Sequence, residues 1–434
     1  MPASLPAGIH TVDVVIADIN GLLRGKKVPA ANWPHVADHG LAVGDVLWNW
    51  SPRCDIFDER VLATGVGDIE LVPDLDTLRP VPWRPGTAMV LCDAFRTNGD
   101  PDTRSPRGAL KQVLARSAEH GFTVNCAFEL EFYLLEPATL RPRDSDIQCY
   151  SVLRANTYEE VMADIRNGLI DFGIPVEASN PEYAPGQFEV NVRFDEALRS
   201  ADNCMLYKYA VKDIAAMHGW LASFMAKPYS NESGCGLHVH QSLWRDGSNA
   251  FADGGVLSQL GRHYLGGMQR HMRDLTLFGS PTPNAMRRRQ PYSFCPTTDA
   301  WGVDNRTVAL RVIHGKDEAV RIEQRDGASD ANIYLVLAGQ IAAGFDGIDG
   351  AIEPTAQSHA DEYTERLGNP LPMTVLDAAD RLEASEFARR AFDPAMIAAL
   401  AGIARFEHAQ IHGTEGDLVA EVEDAERVRY AAVF

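Results

Sequence analysis

The stretch AFELEFYLL, residues 127–135, decides how the rest of this 434-residue chain is interpreted. Apolar and acidic residues alternate along it, and side chains two apart on a strand point the same way. The apolar set consists of Phe128, Leu130 and Phe132. Glu129 and Glu131 share the opposite face, about 6.6 Å apart by the rise of a strand. The pattern predicts a strand with one buried face and one face of paired carboxylates.

Three other stretches alternate in the same way. They are QFEVNVRF at 187–194, GLHVHQSLW at 236–244 and VRIEQRD at 320–326. Their polar faces collect Glu189, Asn191, Arg193, His238, His240, Ser242, Arg321, Glu323 and Arg325. Carboxylates, paired imidazoles and alternating Arg and Glu on neighbouring strands are typical of the wall of a cationic, phosphate-handling site.

Helical patterns lie between these strands, so the predicted fold class is α+β. Ser105 is placed to cap a helix that Pro106 begins, and Thr157 and Glu160 have the spacing of a capping box. Asp330 is predicted to cap the apolar segment 331–345, a buried helix rather than a membrane span. Asn20-Gly21 predicts a hairpin between the first two strands.

The length of the chain predicts two domains, since single cores stop growing near 250–300 residues. Residues 1–103 are predicted to form a small β-rich domain and residues 104–434 a large α+β domain. The Asn98–Asp102 turn cluster precedes the predicted boundary.

The composition excludes some classes of function. A formal charge of −20 argues against nucleic-acid binding, which depends on Lys and Arg at phosphates. Seven scattered cysteines without a C-x-x-C pair are typical of a reduced cytoplasmic protein. The N-terminus lacks the pattern of a secretory signal, so we expect a cytoplasmic protein with no membrane partner.

The acidic residues predict a metal site. Two carboxylates in one cleft raise each other's pKa unless a cation lies beside them. Oxygen-rich sites with an occasional imidazole suit Mg²⁺ or Mn²⁺, whereas zinc prefers more His or Cys. Glu182 and Glu189 flank a Pro-Gly turn and add two carboxylates. An exposed acidic strand face remains the alternative interpretation of Glu129 and Glu131.

Glycines and arginines indicate an anionic ligand. Gly234 and Gly236 precede the two histidines, and glycine lets a backbone approach a ligand closely. Guanidinium groups match phosphate and carboxylate geometry, and they are supplied by Arg306, Arg311, Arg321 and Arg325. A surface ion-pair network is the alternative for these arginines. The chain has no P-loop and no dinucleotide-binding G-x-G-x-x-G after a strand, so a nucleotide would bind in another way.

Taken together, these motifs resemble the glutamine synthetase family, and within it the γ-glutamylputrescine synthetases and other γ-glutamylamine ligases. The matching stretches are DINGLLRGKKVP (18–29), FELEFYLL (128–135), APGQFEVNV (184–192), SFMAKPY (223–229), SGCGLHVHQSL (233–243), WGVDNRTVALR (301–311) and RIEQRDGASDANIYLVLAG (321–339). The resemblance implies an N-terminal β-grasp domain and a catalytic domain with an open antiparallel β-barrel surrounded by helices.

The resemblance also implies a role for each site residue. It implies one metal site of Glu131, Glu182 and Glu189, and a second of Glu129, His238 and Glu323. It implies ATP and phosphate contacts from His240, Ser242, Arg311 and Arg321, and glutamate contacts from Gly234, Arg288 and Arg325. It implies catalytic roles for Arg306, Asp55 and Glu182, with Arg306 stabilising the transferred phosphate.

The chain departs from ordinary glutamine synthetases where ammonium is bound. Phe294 stands where those enzymes have a flap glutamate, and Ser233 stands where they have Asn. The loop LWNWSPRCDIFDE (47–59) offers Asp55 beside Trp48 and Trp50. Loss of an acid and gain of aromatic residues predict an amine pocket for an acceptor larger than ammonia. The alternative for the tryptophans is packing in the core of the small domain.

The resulting expectation is an ATP-dependent ligase that joins L-glutamate to a small primary amine or polyamine through γ-glutamyl phosphate. Two or more Mg²⁺ or Mn²⁺ ions per site and a dodecamer of two hexameric rings, with active sites between subunits, are expected. The alternatives are a glutamine synthetase that uses ammonia, a non-catalytic structural or sensory member, and an enzyme that phosphorylates an acid other than glutamate.

Overall fold

The structure is a computed structural model that describes residues 4–63, 65–146, 149–411 and 422–434. The strands are β1 Thr11–Ala17, β2 Leu23–Pro29, β3 Leu41–Gly44, β4 Asp68–Pro73, β5 Arg79–Pro80, β6 Thr87–Arg96, β7 Thr123–Leu135, β8 Val176–Pro181, β9 Gln187–Val192, β10 Asp195–Glu196, β11 Leu221–Ser223, β12 Gly236–Arg245, β13 Ser248–Asn249, β14 Ala252–Asp253, β15 Val256–Leu257, β16 Trp301–Val303, β17 Leu310–Ile313 and β18 Arg321–Ala328.

The helices are α1 Trp33–His39, α2 Glu59–Ala63, α3 Pro106–Glu119, α4 Val152–Ala155, α5 Glu159–Asp171, α6 Ala197–Met217, α7 Gln259–His271, α8 Thr276–Gly279, α9 Pro283–Met286, α10 Ile333–Asp349, α11 Glu362–Glu365, α12 Val375–Ala384, α13 Glu386–Ala391, α14 Pro394–Ile411 and α15 Asp424–Tyr430. The mixture of helices and sheets confirms the predicted α+β class.

The N-terminal part is built on a mixed sheet in the order β2-β1-β6-β4-β3, with β5 paired to β6. Its central pair, β1 and β6, is parallel, and β1 and β2 form the predicted hairpin. Gly21 has φ +75° in the connection, a conformation that glycine adopts without a steric penalty. The order of strands fits the β-grasp arrangement.

The second sheet runs in the order β16-β17-β18-β12-β7-β9-β8, and all neighbours along it are antiparallel except β16 and β17. It forms a nearly closed, barrel-like surface. The four stretches with polar faces become the adjacent strands β9, β7, β12 and β18. Helices α3 and α6 pack against β7, and α10 packs against α3, α6 and α7.

Two hydrophobic clusters meet along β6. Val90, Cys92 and Ala94 belong to a cluster with Trp33 and Trp48 in the N-terminal sheet. Met89 and Leu91, on the other face of β6, belong to the large cluster of the second sheet and its helices. The predicted boundary at residue 103 lies between the end of β6 and the start of α3, and it stays a prediction.

One of the three predicted helix caps is confirmed. The Ser105 hydroxyl accepts a hydrogen bond from Gly108 N at 3.3 Å, at the start of α3. The prediction for Thr157 is wrong, because a 3₁₀ turn over Asn156–Tyr158 already contains it and α5 begins at Glu159.

The prediction for Asp330 is also wrong. The cap of α10 is Asn332, whose side chain accepts from Tyr334 N at 3.1 Å. Asp330 instead accepts a hydrogen bond from Thr282 Oγ1 at 2.6 Å. Helix α10 is buried along most of its length, as the sequence predicts. Among the described residues, no helix combines the length and apolar character needed to cross a membrane.

Candidate active site

Strand register brings the polar faces together. Glu129 lies opposite His238, Glu131 opposite Glu189, and His240 and Arg311 opposite Glu323. Antiparallel partners on one face have their Cβ atoms about 5 Å apart, so these side chains are neighbours. Alternating burial along β7 confirms that Phe128, Leu130 and Phe132 face the core, away from the carboxylates.

Two cavities meet at Glu129 and Asn191. The first, of about 360 Å³, is lined by these predicted residues: Glu129, Glu131, Glu182, Glu189, Gly234, His238, Arg288, Phe294, Arg306, Arg311, Glu323 and Arg325. The second, of about 690 Å³, is lined by Glu129 together with His240, Ser242 and Arg321. We call them the acidic cleft and the second cavity. Of the four residues predicted to contact ATP, Arg311 lines the acidic cleft, whereas the other three line the second cavity.

Glu131, Glu182 and Glu189 form a carboxylate cluster with little compensating charge. Burial and the nearby Glu129, Glu131 and Glu182 raise the pKa of Glu189 to about 9. Burial and Glu182 likewise raise the pKa of Glu131, although Gly236 N donates to its Oε2 at 2.8 Å. Burial also raises the pKa of Glu182. The raised pKa values show that these three acids lack a compensating cation, and their oxygens are the ligands that Mg²⁺ or Mn²⁺ prefers once the protons are displaced.

The second cluster combines carboxylates with imidazoles. Burial opposes ionisation of Glu129, but hydrogen bonds with His238 at 3.3 Å and His240 at 2.9 Å keep its pKa well below the usual range. Possible ligand atoms of Glu129, His240 and Glu323 all lie within 4.8 Å of one another. His238 Nδ1 also lies 3.6 Å from Glu323. These ligand atoms fit a divalent cation. Both His240 and the predicted ligand His238 contact Glu129, so either imidazole is placed to join the carboxylates.

Arginines surround Glu323 and face the acidic cleft. Arg311 contacts Glu323 Oε2 at 3.1 Å, and Arg325 contacts the other oxygen. The Nε atoms of Arg311 and Arg325 are buried and have no hydrogen-bond partner among the described residues. A buried donor without an acceptor costs free energy, so these groups fit an anionic ligand such as a phosphate or carboxylate.

Glycines make room for the side chains around them. A Cβ atom on Gly234 would lie 2.7 Å from Arg288 Cγ and 2.8 Å from Ala226 O. A Cβ atom on Gly236 would lie 3.0 Å from both Arg288 Nη2 and His238 Nε2. The loop before β12 therefore lets Arg288 and His238 approach the cleft closely, in agreement with the interpretation of these glycines from the sequence.

The structure adds aromatic residues that the sequence reasoning missed. Phe194 and Trp244 line the second cavity, with ring centroids 6.4 Å apart and planes 15° from parallel. Tyr150 and Tyr183 line the acidic cleft beside Phe294. A usable signal was present: Phe194 and Trp244 are each the last residue of an alternating stretch, and Tyr183 directly follows Glu182.

The comparisons with known proteins decide the family. The family model "Glutamine synthetase, catalytic domain" matches residues 103–422. The chain belongs to the glutamine synthetase family. A glutamate–isopropylamine ligase from a Pseudomonas species is 35% identical, over 88% of each chain. A γ-glutamylethanolamide synthetase, GlnA4, from Streptomyces coelicolor is 36% identical, over 92% of this chain and 89% of the relative.

A solved structure agrees with this assignment. The structure named GmaS/ADP complex, conformation 1, has a TM-score of 0.84 and 32% identity, and covers 94% of this chain and 95% of its own. Glutamine synthetase family ligases use ATP, divalent metal ions, glutamate and either an amine or ammonia. The acidic cleft and the second cavity therefore lie in the catalytic domain of an ATP-dependent ligase.

Three residues that the family resemblance places in the amine pocket do not line either cavity. Trp48 is fully buried, belongs to the N-terminal cluster and donates from Nε1 to Asp102 at 2.9 Å. Trp50 packs partly against that cluster and lies under the guanidinium of Arg24. Packing in the small sheet, the alternative raised from the sequence, describes both rings.

Asp55 also lies away from the acidic cleft of its own chain. Its carboxylate accepts from Ser51 Oγ at 2.6 Å and from Arg429 at 3.0 Å. Its predicted roles in catalysis and in the amine pocket stay predictions.

Proposed function

We propose that the protein joins the γ-carboxylate of L-glutamate to a small primary amine, with hydrolysis of ATP to ADP and phosphate. The observation that carries the proposal is Phe294 at the mouth of the acidic cleft, beside Tyr183, where ordinary glutamine synthetases have an acid. An apolar residue there cannot hold ammonium by charge, but it can contact the substituent of an amine. The two amine-ligating relatives support the same proposal.

The reaction needs an activated carboxylate, because oxide is too poor a leaving group for an amine to displace. In the proposed first step a γ-carboxylate oxygen of glutamate attacks the γ-phosphorus of ATP, and ADP leaves. The product is γ-glutamyl phosphate. Arg311, Arg321 and Arg306 would balance the charge on the transferred phosphoryl group, since arginine matches phosphate oxygens.

Substrate positions follow from the two cavities. The second cavity offers Phe194 and Trp244 as flat surfaces for the adenine, with Arg321 and His240 further in. Arg288 and Arg325 would hold the carboxylate of glutamate beside the Gly234 loop. The γ-carboxylate then lies between the phosphate groups and the mouth of the cleft.

Divalent cations would be held by two sets of ligands. Glu131, Glu182 and Glu189 form one set, and Glu129, Glu323 and the histidines form the other. Bound cations supply electrostatic stabilisation of the phosphate oxygens. In the proposed second step the neutral amine attacks the acyl carbon, and inorganic phosphate leaves. Glu182, which precedes Tyr183 at the mouth, is our assignment for the group that takes the proton of the incoming ammonium.

The first test measures phosphate release from ATP with glutamate and Mg²⁺ in the presence of ammonium, isopropylamine, ethanolamine or putrescine. We expect a higher kcat/KM with at least one organic amine than with ammonium. A preference for ammonium would replace the proposal with glutamine synthesis.

The variant Glu323→Gln tests whether the phosphate release comes from this site. It should abolish phosphate release, because the carboxylate joins the second metal cluster to Arg311 and Arg325, while the melting curve stays cooperative. Failure of the unsubstituted protein to bind ATP with Mg²⁺ would point to the non-catalytic alternative. Release that requires an acid other than glutamate would identify a different phosphoryl acceptor.

A further inference from the structure

We propose that Tyr150, Tyr183 and Phe294 form an acceptor frame that selects primary monoamines with a compact apolar substituent. This inference rests on the proposed ligase function and names the class of amine that the same site accepts. The frame lies within one chain, and it differs from the tryptophan pocket expected from the sequence.

The three aromatic rings are exposed at the acidic cleft, where a ligand could cover them. The exposed fractions are 68% for Tyr150, 50% for Tyr183 and 47% for Phe294, and all three residues line the acidic cleft. Ring centroids of Tyr183 and Phe294 are 5.7 Å apart, with planes 32° from parallel. Adjacent exposed aromatic rings at the mouth of a cleft provide apolar surface that a ligand can cover.

The backbone fixes Phe294. Phe294 and Tyr292 have φ values of +58° and +64°, a conformation that costs free energy for residues with a side chain. The Ser293 hydroxyl donates to Arg288 O at 2.8 Å, and the Tyr363 hydroxyl donates to Cys295 O at 3.0 Å. These contacts tie the flap 290–295 to Arg288 and Tyr363, on either side of Phe294.

The two tyrosines are fixed at the end of β8. Tyr150 N donates to Pro181 O at 3.0 Å, and Glu182 N donates to Gln187 O at 2.8 Å. Both hydrogen bonds tie the frame to the turn that carries Glu182. A substituent held by the rings is therefore attached to an ammonium group that lies near the carboxylates of the cleft.

The frame offers no carboxylate of its own to a second ammonium group. The carboxylates that line the acidic cleft are Glu129, Glu131, Glu182, Glu189 and Glu323, and each belongs to one of the two clusters described above. The frame itself contributes no acid. Glu182, Glu189 and Arg306 all act electrostatically on the Tyr150 phenol, Glu182 most strongly of the three and Arg306 least. Because those carboxylates belong to the metal clusters and the frame adds none, a second ammonium gains no partner of its own, so diamines should have no advantage over monoamines.

The experiment measures kcat/KM for isopropylamine, ammonium and putrescine in the unsubstituted enzyme and in Tyr183→Ala and Phe294→Ala. We expect the isopropylamine-to-ammonium ratio to fall about tenfold or more in each variant, since each removes apolar contact with the substituent. KM for ATP should stay unchanged. Tyr292→Ala is the matched control, because Tyr292 lies on the same flap, is exposed, and packs against Tyr363 rather than lining the cleft.

The outcomes separate this inference from the proposed function. Absence of activity with every amine and with ammonium overturns the ligase proposal. An active ligase whose ratio is unchanged in both variants, or which prefers putrescine, overturns the frame and leaves the ligase intact. If an alanine variant fails to fold, Tyr183→Asn and Phe294→Asn replace it. A fall of about tenfold in the isopropylamine-to-ammonium ratio then supports the frame, and an unchanged ratio overturns it.

Discussion

At the scale of single residues, three acids of the acidic cleft, Glu131, Glu182 and Glu189, have pKa values raised by burial and by the charges of neighbouring carboxylates. Glu189 shows this most clearly, because burial and three neighbouring glutamates raise its pKa from 4.5 to about 9. The folded, metal-free protein therefore binds this proton more tightly than the unfolded chain does. Its contribution to stability is complete below pH 4.5 and is lost as the pH rises through about 9.

The first residue-scale prediction is that Mg²⁺ stabilises the protein more as the pH rises. A cation at the carboxylates has to displace their protons, so its apparent affinity grows with pH, and so does its contribution to stability. We expect the increase in Tm caused by Mg²⁺ to be larger at pH 9 than at pH 6 in thermal melts.

Glu189→Gln tests the assignment of this pH dependence. The variant should show a smaller increase in Tm with Mg²⁺ and a weaker dependence of that increase on pH. Glu136→Gln is the control, because Glu136 follows β7 and pairs with Arg143 outside the cleft. An increase with Mg²⁺ that is the same at every pH would contradict the interpretation.

The polar side chains of the site could be predicted from the sequence where they alternate with apolar residues along a strand. Alternation identified Glu129, Glu131, His238 and Glu323 on the polar face because periodicity is a local property. Local pattern gave no indication that Tyr183 meets Phe294, since their contact depends on how the flap folds back over the turn after β8. The side chain of Trp48 fitted two interpretations equally well, and packing in the small sheet is the one observed.

At the scale of elements, the positions of helices and sheets relative to one another depend on a few buried charges. Arg107 on α3 donates to Asp74 at 2.7 Å, to Asp93 of β6 at 2.6 Å and to Asp202 of α6 at 2.9 Å. Tyr334 on α10 donates to the same Asp202 at 2.6 Å. The guanidinium is 2% exposed, so it joins the N-terminal sheet to the helices behind the barrel-like sheet.

We predict that Arg107→Met lowers the free energy of unfolding by about 3–5 kcal/mol, because it leaves buried carboxylates without their partner. Denaturant-induced unfolding of the full-length protein would measure the change. Lys111→Met is the matched control on the same helix, since Lys111 forms a more exposed pair with Asp93. Its effect should stay below about 1 kcal/mol. Equal effects of the two substitutions would show that burial of Arg107 is not the cause.

The sequence predicted the existence of helices and strands more accurately than the residues at which they begin and end. The buried helix α10 and the four polar-faced strands lie where the pattern indicates. The ends depend on tertiary contacts. Asn332 caps α10 instead of Asp330, because the Asp330 carboxylate accepts a hydrogen bond from Thr282. The Asn332 amide also donates to Asp18 O at 2.9 Å. No local signal reports these partners from distant segments.

At the scale of the whole molecule, residues of a single chain line both the acidic cleft and the second cavity. Asp55 and the loop around it lie on the N-terminal part, away from both cavities of the same chain. The family resemblance predicts an assembly in which this loop reaches the acidic cleft of a neighbouring subunit. The sequence could not establish this, because contacts between copies leave no periodic pattern in one chain.

The last prediction tests such a shared site by combining two defective variants. Asp55→Asn and Glu323→Gln should each have low phosphate release when expressed alone. Co-expressed in equal amounts, they should form mixed assemblies in which about a quarter of the sites combine an intact Asp55 from one subunit with an intact Glu323 from the next, since each occurs with a probability of about one half. Activity should therefore recover to about a quarter of that of the unsubstituted enzyme.

Glu129→Gln with Glu323→Gln is the control, because both residues contact His238 within one chain, so no mixed site is intact. Full activity of Asp55→Asn alone would remove Asp55 from the site, and absence of recovery would place a complete site within a single chain.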